Sequence, residues 1–269
     1  MLKIATRGLL LALGLVGYVH APQAPRELRV CADPNNLPFS NRREEGLENR
    51  IARLIAADLG IPLRYTWWPQ RRGFIRNTLT ARKCDVVMGT PPETERVLTT
   101  RPYYRSTYVF VSRKDRGLNV RSLNDPVLRR LRIGVQLVGD DYANTPPVHA
   151  LSRRRIVGNL VGYSVFGDYS QENPPARIVD AVAAGAVDLA IVWGPLAGYF
   201  AKHSAVELEV VPVSPAEDPP SLRFRFDISI AVRPGEQALK AALEAVLDRK
   251  KAAIDAILTE YGVPLVTSP

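Results

Sequence analysis

Soft metal ligands are scarce in this chain of 269 residues, which has two cysteines, two methionines and three histidines. His20 sits near the N-terminus, and His149 and His203 stand alone. No ligand spacing can be assembled from them, so no metal or cofactor is expected. The chain also lacks a Walker loop and a Gly-rich dinucleotide fingerprint, which excludes nucleotide chemistry of those kinds. Its nearest approach to a nucleophile elbow, Gly162-Tyr163-Ser164-Val165-Phe166-Gly167, has the second glycine one position too late. The carboxylate pairs Glu44/Glu45 and Asp140/Asp141 are sequence neighbours, a spacing that does not set an acid and a base across a substrate. Binding without catalysis is the expectation.

Long apolar runs are missing too. Leu9 to Val16 is the apolar stretch of the N-terminus, much shorter than the roughly 20 residues needed to span a bilayer. Preceded by Lys3 and Arg7 and followed by Val19-His20-Ala21, it reads as a secretory signal peptide over 1–21, cleaved after Ala21. Export to the periplasm with no membrane span after cleavage is expected. The formal charge of the whole chain is +9, and a leader carrying two of those positive charges leaves a basic mature protein. With no nucleic-acid motif and scattered arginines, an acidic protein surface or an anionic ligand fits that charge better than nucleic acid. Cys31 and Cys84 are the two cysteines. In an oxidising compartment such an even count points to one disulfide, with two buried thiols as the alternative.

The order of elements is that of an α/β protein. A strand at 28–32 precedes a Pro/Asn-rich loop, and Leu47, Ile51, Leu54, Ile55 and Leu59 recur at helical spacing until Gly60 and Pro62. A strand at 63–68, a helix over 71–81 and a strand at 85–88 follow. Alternation of this kind implies a parallel sheet whose ligands approach the carboxyl ends of the strands. After a strand at 108–112, the polar stretch 113–124 is the expected first crossing into a second lobe. That lobe repeats the pattern with strands at 131–135, 161–165 and 187–193 and helices at 144–152 and 175–184, and ends at the Pro-rich run 212–220. A returning strand at 227–232 and a long closing helix marked by Leu239, Leu243, Val246 and Leu247 rebuild the first lobe. The expected domains are 26–112 with 224–266 as a discontinuous lobe 1, and 113–223 as lobe 2. Two crossings between them frame a central cleft able to hinge shut.

Several side chains fall on the expected rim. Arg96 follows the third strand, where a guanidinium can grip a carboxylate bidentately or simply pair with a neighbouring acid. Trp67 and Trp68, with Arg71 and Arg72 just beyond, are the residue types of an interface anchor, core packing being the alternative for either tryptophan. Trp193, with Gly194 and Pro195, sits just past a strand, at a cleft floor or in a turn.

The segments CADPNNLPFSN (31–41), YTWWPQRRGFIRNTL (65–79), CDVVMGT (84–90), TTRPYYRSTYVFV (99–111) and VDLAIVWGPLAGYFA (187–201) resemble the MxaJ/XoxJ family over nearly the whole chain. The resemblance implies the periplasmic binding protein type 2 fold. It also implies an accessory role toward a methanol dehydrogenase that uses pyrroloquinoline quinone (PQQ), of the lanthanide-dependent type in some systems, with the dehydrogenase and its cytochrome c as partners. Asp33, Asn36, Phe39, Tyr103 and Tyr104 join the candidate cleft residues on these motifs. In the wider superfamily of amino-acid-binding proteins, Asp33 and Arg96 match first-lobe ligand groups, whereas the second-lobe acid aligns with Gly194. An unpaired ligand ammonium in a cleft is costly, so amino-acid capture is not expected. A receptor for a small anionic or apolar solute, serving an importer, is the other reading.

Overall fold

A computed structural model describes residues 26–138, 144–164 and 169–266. The expected leader, Asp140/Asp141 and residues 165–167 of the elbow-like segment lie outside them. Nine main strands form one continuous sheet: β1 (Leu28–Ala32), β2 (Leu63–Trp67), β3 (Val86–Thr90), β4 (Tyr104–Arg113), β5 (Ile133–Leu137), β6 (Leu160–Ser164), β7 (Leu189–Trp193), β8 (Leu208–Pro212) and β9 (Arg225–Val232). The strand order is β2-β1-β3-β9-β4-β7-β5-β6, with β8 on β4 and the short strand Leu98–Thr99 on β9.

Parallel pairing of β1 with β2 and β3 builds the first half, and parallel pairing of β5 with β6 and β7 builds the second. Two long antiparallel strands join the halves. Tyr104 to Thr107 of β4 pair with Arg225 to Ile228 of β9, and the next residues of β4 turn to β7 and β8, while Ser229 to Val232 of β9 turn to β3. The polar stretch 113–124 follows this passage and returns Val120 and Leu123 to the second-half core.

The helices are α1 (Leu47–Leu59), α2 (Phe74–Asn77), α3 (Pro146–Arg153), α4 (Arg177–Ala183), α5 (Gly194–Lys202), α6 (Gln237–Arg249) and α7 (Lys251–Glu260). α1 follows its apolar spacing. It buries Leu47, Ile51, Ala52, Ile55 and Ala56, and Gly60 closes it at φ 66°, a left-handed cap that glycine adopts without strain.

The helix expected over 71–81 shrinks to one turn. Gly73 enters at φ 84°, Thr78 leaves helical geometry, and the Thr78 hydroxyl donates to the Phe74 carbonyl at 2.6 Å, a local bond that competes with helix propagation. The single closing helix is two helices broken at Lys250. Apolar spacing does not announce α5, whose Gly194 and Pro195 open a helix directly after a strand, nor β8.

In the first half α1, α6 and α7 cover one face of the sheet, with Ile51 and Leu243 of the helices packed in one core with Val30, Val86 and Ile230 of the strands. The other face carries a small cluster around Cys31, Cys84, Phe74, Leu79, Val87 and Ala231. Cys31 and Cys84 form the disulfide, with Cα atoms 5.5 Å apart. The second-half sheet has a core on each face, one around Phe110, Leu128, Ile133 and Phe224, the other around Val111, Ile178, Val182 and Val192. Among the described residues no helix is long and apolar enough to cross a membrane.

Candidate functional site: the cleft between the halves

β1 ends at Ala32, so the next residue, Asp33, emerges at the carboxyl edge of the first-half sheet. It is 3% exposed, and a buried carboxylate must be hydrogen-bonded to persist as an anion. One carboxylate oxygen accepts from the Asn35 amide at 2.8 Å, the other from the Gln70 amide at 2.6 Å. The Tyr169 hydroxyl, from the second half, donates to that second oxygen at 2.5 Å. Burial and the Asp33 charge both push the Tyr169 phenol upward, so it remains a donor at neutral pH.

Around this contact the halves meet repeatedly. The Asn35 side-chain amide donates to the Gln171 carbonyl at 2.8 Å, and the Arg71 guanidinium lies 5.3 Å from the Tyr169 ring centroid. Arg43 approaches Glu172 at 4.0 Å, and Arg223 pairs with Glu93 at 3.2 Å. The exposed ion pairs add little, whereas the buried bond to a carboxylate is of the stronger class.

Glu48 is the second acid of the cleft. It lies in the first turn of α1, half-buried, with its carboxylate against Gly89, where a Cβ atom would come within 2.0 Å of Oε1. Among the described residues it has neither a hydrogen-bond partner nor a cation. Burial, reinforced by the Asp33 charge, pushes its carboxyl up to about 8. Tyr103 and Tyr104 are buried edge to face beside it, centroids 5.0 Å apart. Burial raises both phenols, and the Glu48 charge adds to the shift.

The remaining expected residues divide. Asn36 bonds the Gln70 side chain at 3.2 Å, and Phe39 packs half-buried on the first core. Trp67 stacks on Tyr65 at 4.7 Å over that same core, while Trp68 packs on the disulfide face under Lys83, whose Nζ is 4.2 Å from its ring centroid. Neighbours in a strand point to opposite faces, so the two tryptophans do not form one surface. Arg72 is exposed, and Arg96 is exposed at φ 62° beside a cavity on the disulfide side rather than at Asp33. Trp193 wedges between the halves, packing on Tyr108 at 5.4 Å and Phe226 at 5.9 Å, with its amide donating to Gln136.

Gly194 lacks a side chain and lacks room for one. A Cβ atom there would stand 2.4 Å from the Thr107 carbonyl oxygen, a separation no real carbon tolerates. Tyr169 and Glu48 are the cleft residues that spacing did not single out. Ser164 simply ends β6, and among the described residues no group of three or more His, Cys, Asp or Glu could hold a metal ion.

Residues 28–263 match the model of bacterial extracellular solute-binding proteins, family 3. Two curated relatives are both called Protein MoxJ. The one from Methylorubrum extorquens AM1 is 33% identical, covering 89% of this chain and 81% of its own length. The one from Paracoccus denitrificans is 31% identical over 90% of each. Among solved structures, the periplasmic binding protein XoxJ from Methylobacterium extorquens AM1 superimposes with a TM-score of 0.74 at 40% identity, covering 90% of this chain and all of that one. MxaJ from Methlophaga aminisulfidivorans MPT gives a TM-score of 0.75 at 28% identity over 89% of this chain and all of that one. An ancestral cationic amino acid solute-binding protein shares the fold at 19% identity. With its type 2 binding-protein architecture, and with relatives that match it nearly end to end, the chain belongs to the family 3 bacterial extracellular solute-binding proteins and, among them, to the MoxJ group that includes MxaJ and XoxJ.

Proposed function

We propose that this chain is an exported periplasmic accessory protein that binds a PQQ-dependent methanol dehydrogenase and assists its activation or assembly without chemistry of its own. The observation that carries the reading is the state of Asp33. Two backbone amides and the Tyr169 hydroxyl already engage its carboxylate. The groups that would greet an amino-acid ligand are thus spent on closing the cleft. Gly194 has no space for the second-half acid that an ammonium would require. A fold built to clasp a solute is here clasped on itself, which suits a protein that presents a surface to a partner. Resemblance to MxaJ and XoxJ supplies the identity of that partner, and its cytochrome c is the next protein to test.

A receptor for a small anionic or apolar solute is the competing reading. The Asp33 carboxylate in the cleft would repel an anion, and Glu48, its carboxyl raised to about 8 and so protonated at neutral pH, gives an anion no positive partner. Calorimetric titration of the mature chain with purified methanol dehydrogenase, beside a thermal-shift panel of metabolites, separates the two. Heat with the dehydrogenase and no metabolite shift supports the accessory role, and a single stabilising metabolite with a silent dehydrogenase overturns it.

A further inference from the structure

The shortening of α2 to one turn leaves the disulfide face of the first-half sheet partly uncovered. A cavity of about 560 Å³ opens there, bordering the cleft through Arg71, which also lies over the Tyr169 ring. Five arginines line it, namely Arg71, Arg76, Arg82, Arg96 and Arg233, against Glu95 as the acid. Arg233 is committed, with one nitrogen 2.7 Å from Asp85 and another on the Cys84 carbonyl. Arg76, Arg82 and Arg96 have no ion-pair or hydrogen-bond partner for their side chains among the described residues. Other arginines are committed, Arg29, Arg50, Arg105, Arg113 and Arg154 each holding a carboxylate at 2.8 Å or less; what sets this place apart is that three guanidinium groups unpaired among the described residues line one cavity.

We infer that this cavity is a docking site for an acidic segment of a partner polypeptide. Guanidinium groups grip carboxylates with paired hydrogen bonds, so three uncommitted ones along one cavity match a run of acidic side chains. The apolar lining, with Phe74, Ile75 and Leu79, serves the hydrophobic residues of such a segment and gives a simple inorganic anion nothing to touch. The volume is that of a site for a side-chain cluster or a drug-sized group. The floor is held by the Cys31–Cys84 disulfide and the wall by the Arg233–Asp85 pair, so the ordering on binding falls on the exposed arginine side chains rather than on the backbone. This goes beyond the proposed function, since it holds for an acidic segment of any partner.

The test uses the mature chain and a fluorescent peptide alternating glutamate with leucine, followed by anisotropy. A matching lysine–leucine peptide, inorganic phosphate and citrate serve as controls. The glutamate peptide binds, the lysine peptide does not, and added salt weakens binding. Arg76→Gln and Arg82→Gln each weaken it about fivefold or more with unchanged melting curves. Wild-type affinity in both variants, equal binding of the lysine peptide, or displacement by phosphate or citrate at concentrations below those of unlabelled peptide would overturn the inference. None of these readouts involves the dehydrogenase, so failure here leaves the proposed function standing.

Discussion

The Tyr169 hydroxyl of one half donates a 2.5 Å hydrogen bond to the Asp33 carboxylate of the other, across 136 positions of sequence. Because Asp33 is buried and its remaining bonds come from its own half, this contact is the polar latch of the cleft. Tyr169→Phe keeps the ring beneath Arg71 and removes only the donor. The variant should lose about 1.5–3 kcal/mol of stability, the range for a bond to a charged group, and its radius of gyration by small-angle scattering should rise as the halves part. An unchanged radius and melting temperature would show that the other contacts between the halves close the cleft without this bond.

Glu48 sets a pH dependence whose sign is fixed by its burial. Its folded-state carboxyl is raised to about 8, so the folded chain holds this proton more tightly than the unfolded chain does. The stabilisation is complete below the ordinary carboxylate range and is lost as pH climbs from there toward 8. Glu48→Gln should match the parent in acid and exceed it by at least about 1–2 kcal/mol near pH 8, where the parent must carry a charged carboxylate in a buried site. Urea unfolding across that window measures the difference, and parallel curves for the two proteins would contradict it.

Much of the scaffold could be read before any coordinates. α1 follows from Leu47, Ile51 and Ile55, most strands other than β8 from their apolar runs, and the disulfide from two cysteines in a chain read as exported. α2 escaped because the apolar spacing of 71–81 competes with Gly73 and with the Thr78 hydroxyl, effects settled by geometry rather than by periodicity. The same limit hides the cleft. Glu48 looks like any polar residue in a first helical turn until Gly89 lies against it, and Tyr169 acquires a role only when the second half folds over Asp33. The divergence of Trp67 and Trp68 follows from strand alternation, once 63–67 is known to be a strand packed on both faces.

The disulfide joins residues 53 positions apart. Closing a loop of that length restricts the unfolded chain, so the paired variant Cys31→Ala/Cys84→Ala should lose about 2–4 kcal/mol. The free face it supports beside Phe74 and Leu79 should loosen first. Amide exchange across 74–87 checks this, and equal protection with and without the bond would refute it.

Gly194→Asp restores by sequence the acid that amino-acid receptors carry, but its Cβ meets the Thr107 carbonyl. The variant should lose several kcal/mol, about 2–4 by the cost of forcing atoms into a filled site, and gain no affinity for amino acids. Amino-acid binding by a fully stable variant would mean that the junction yields more readily than its packing implies.

Calorimetric titration of the mature protein with a PQQ-dependent methanol dehydrogenase decides whether the proposed binding occurs. The titration is run with apo and cofactor-loaded enzyme at low and moderate salt. The account predicts saturable binding that weakens with salt, as expected for a basic docking face, and tighter binding of the apo form. No heat with either form at either salt would contradict it.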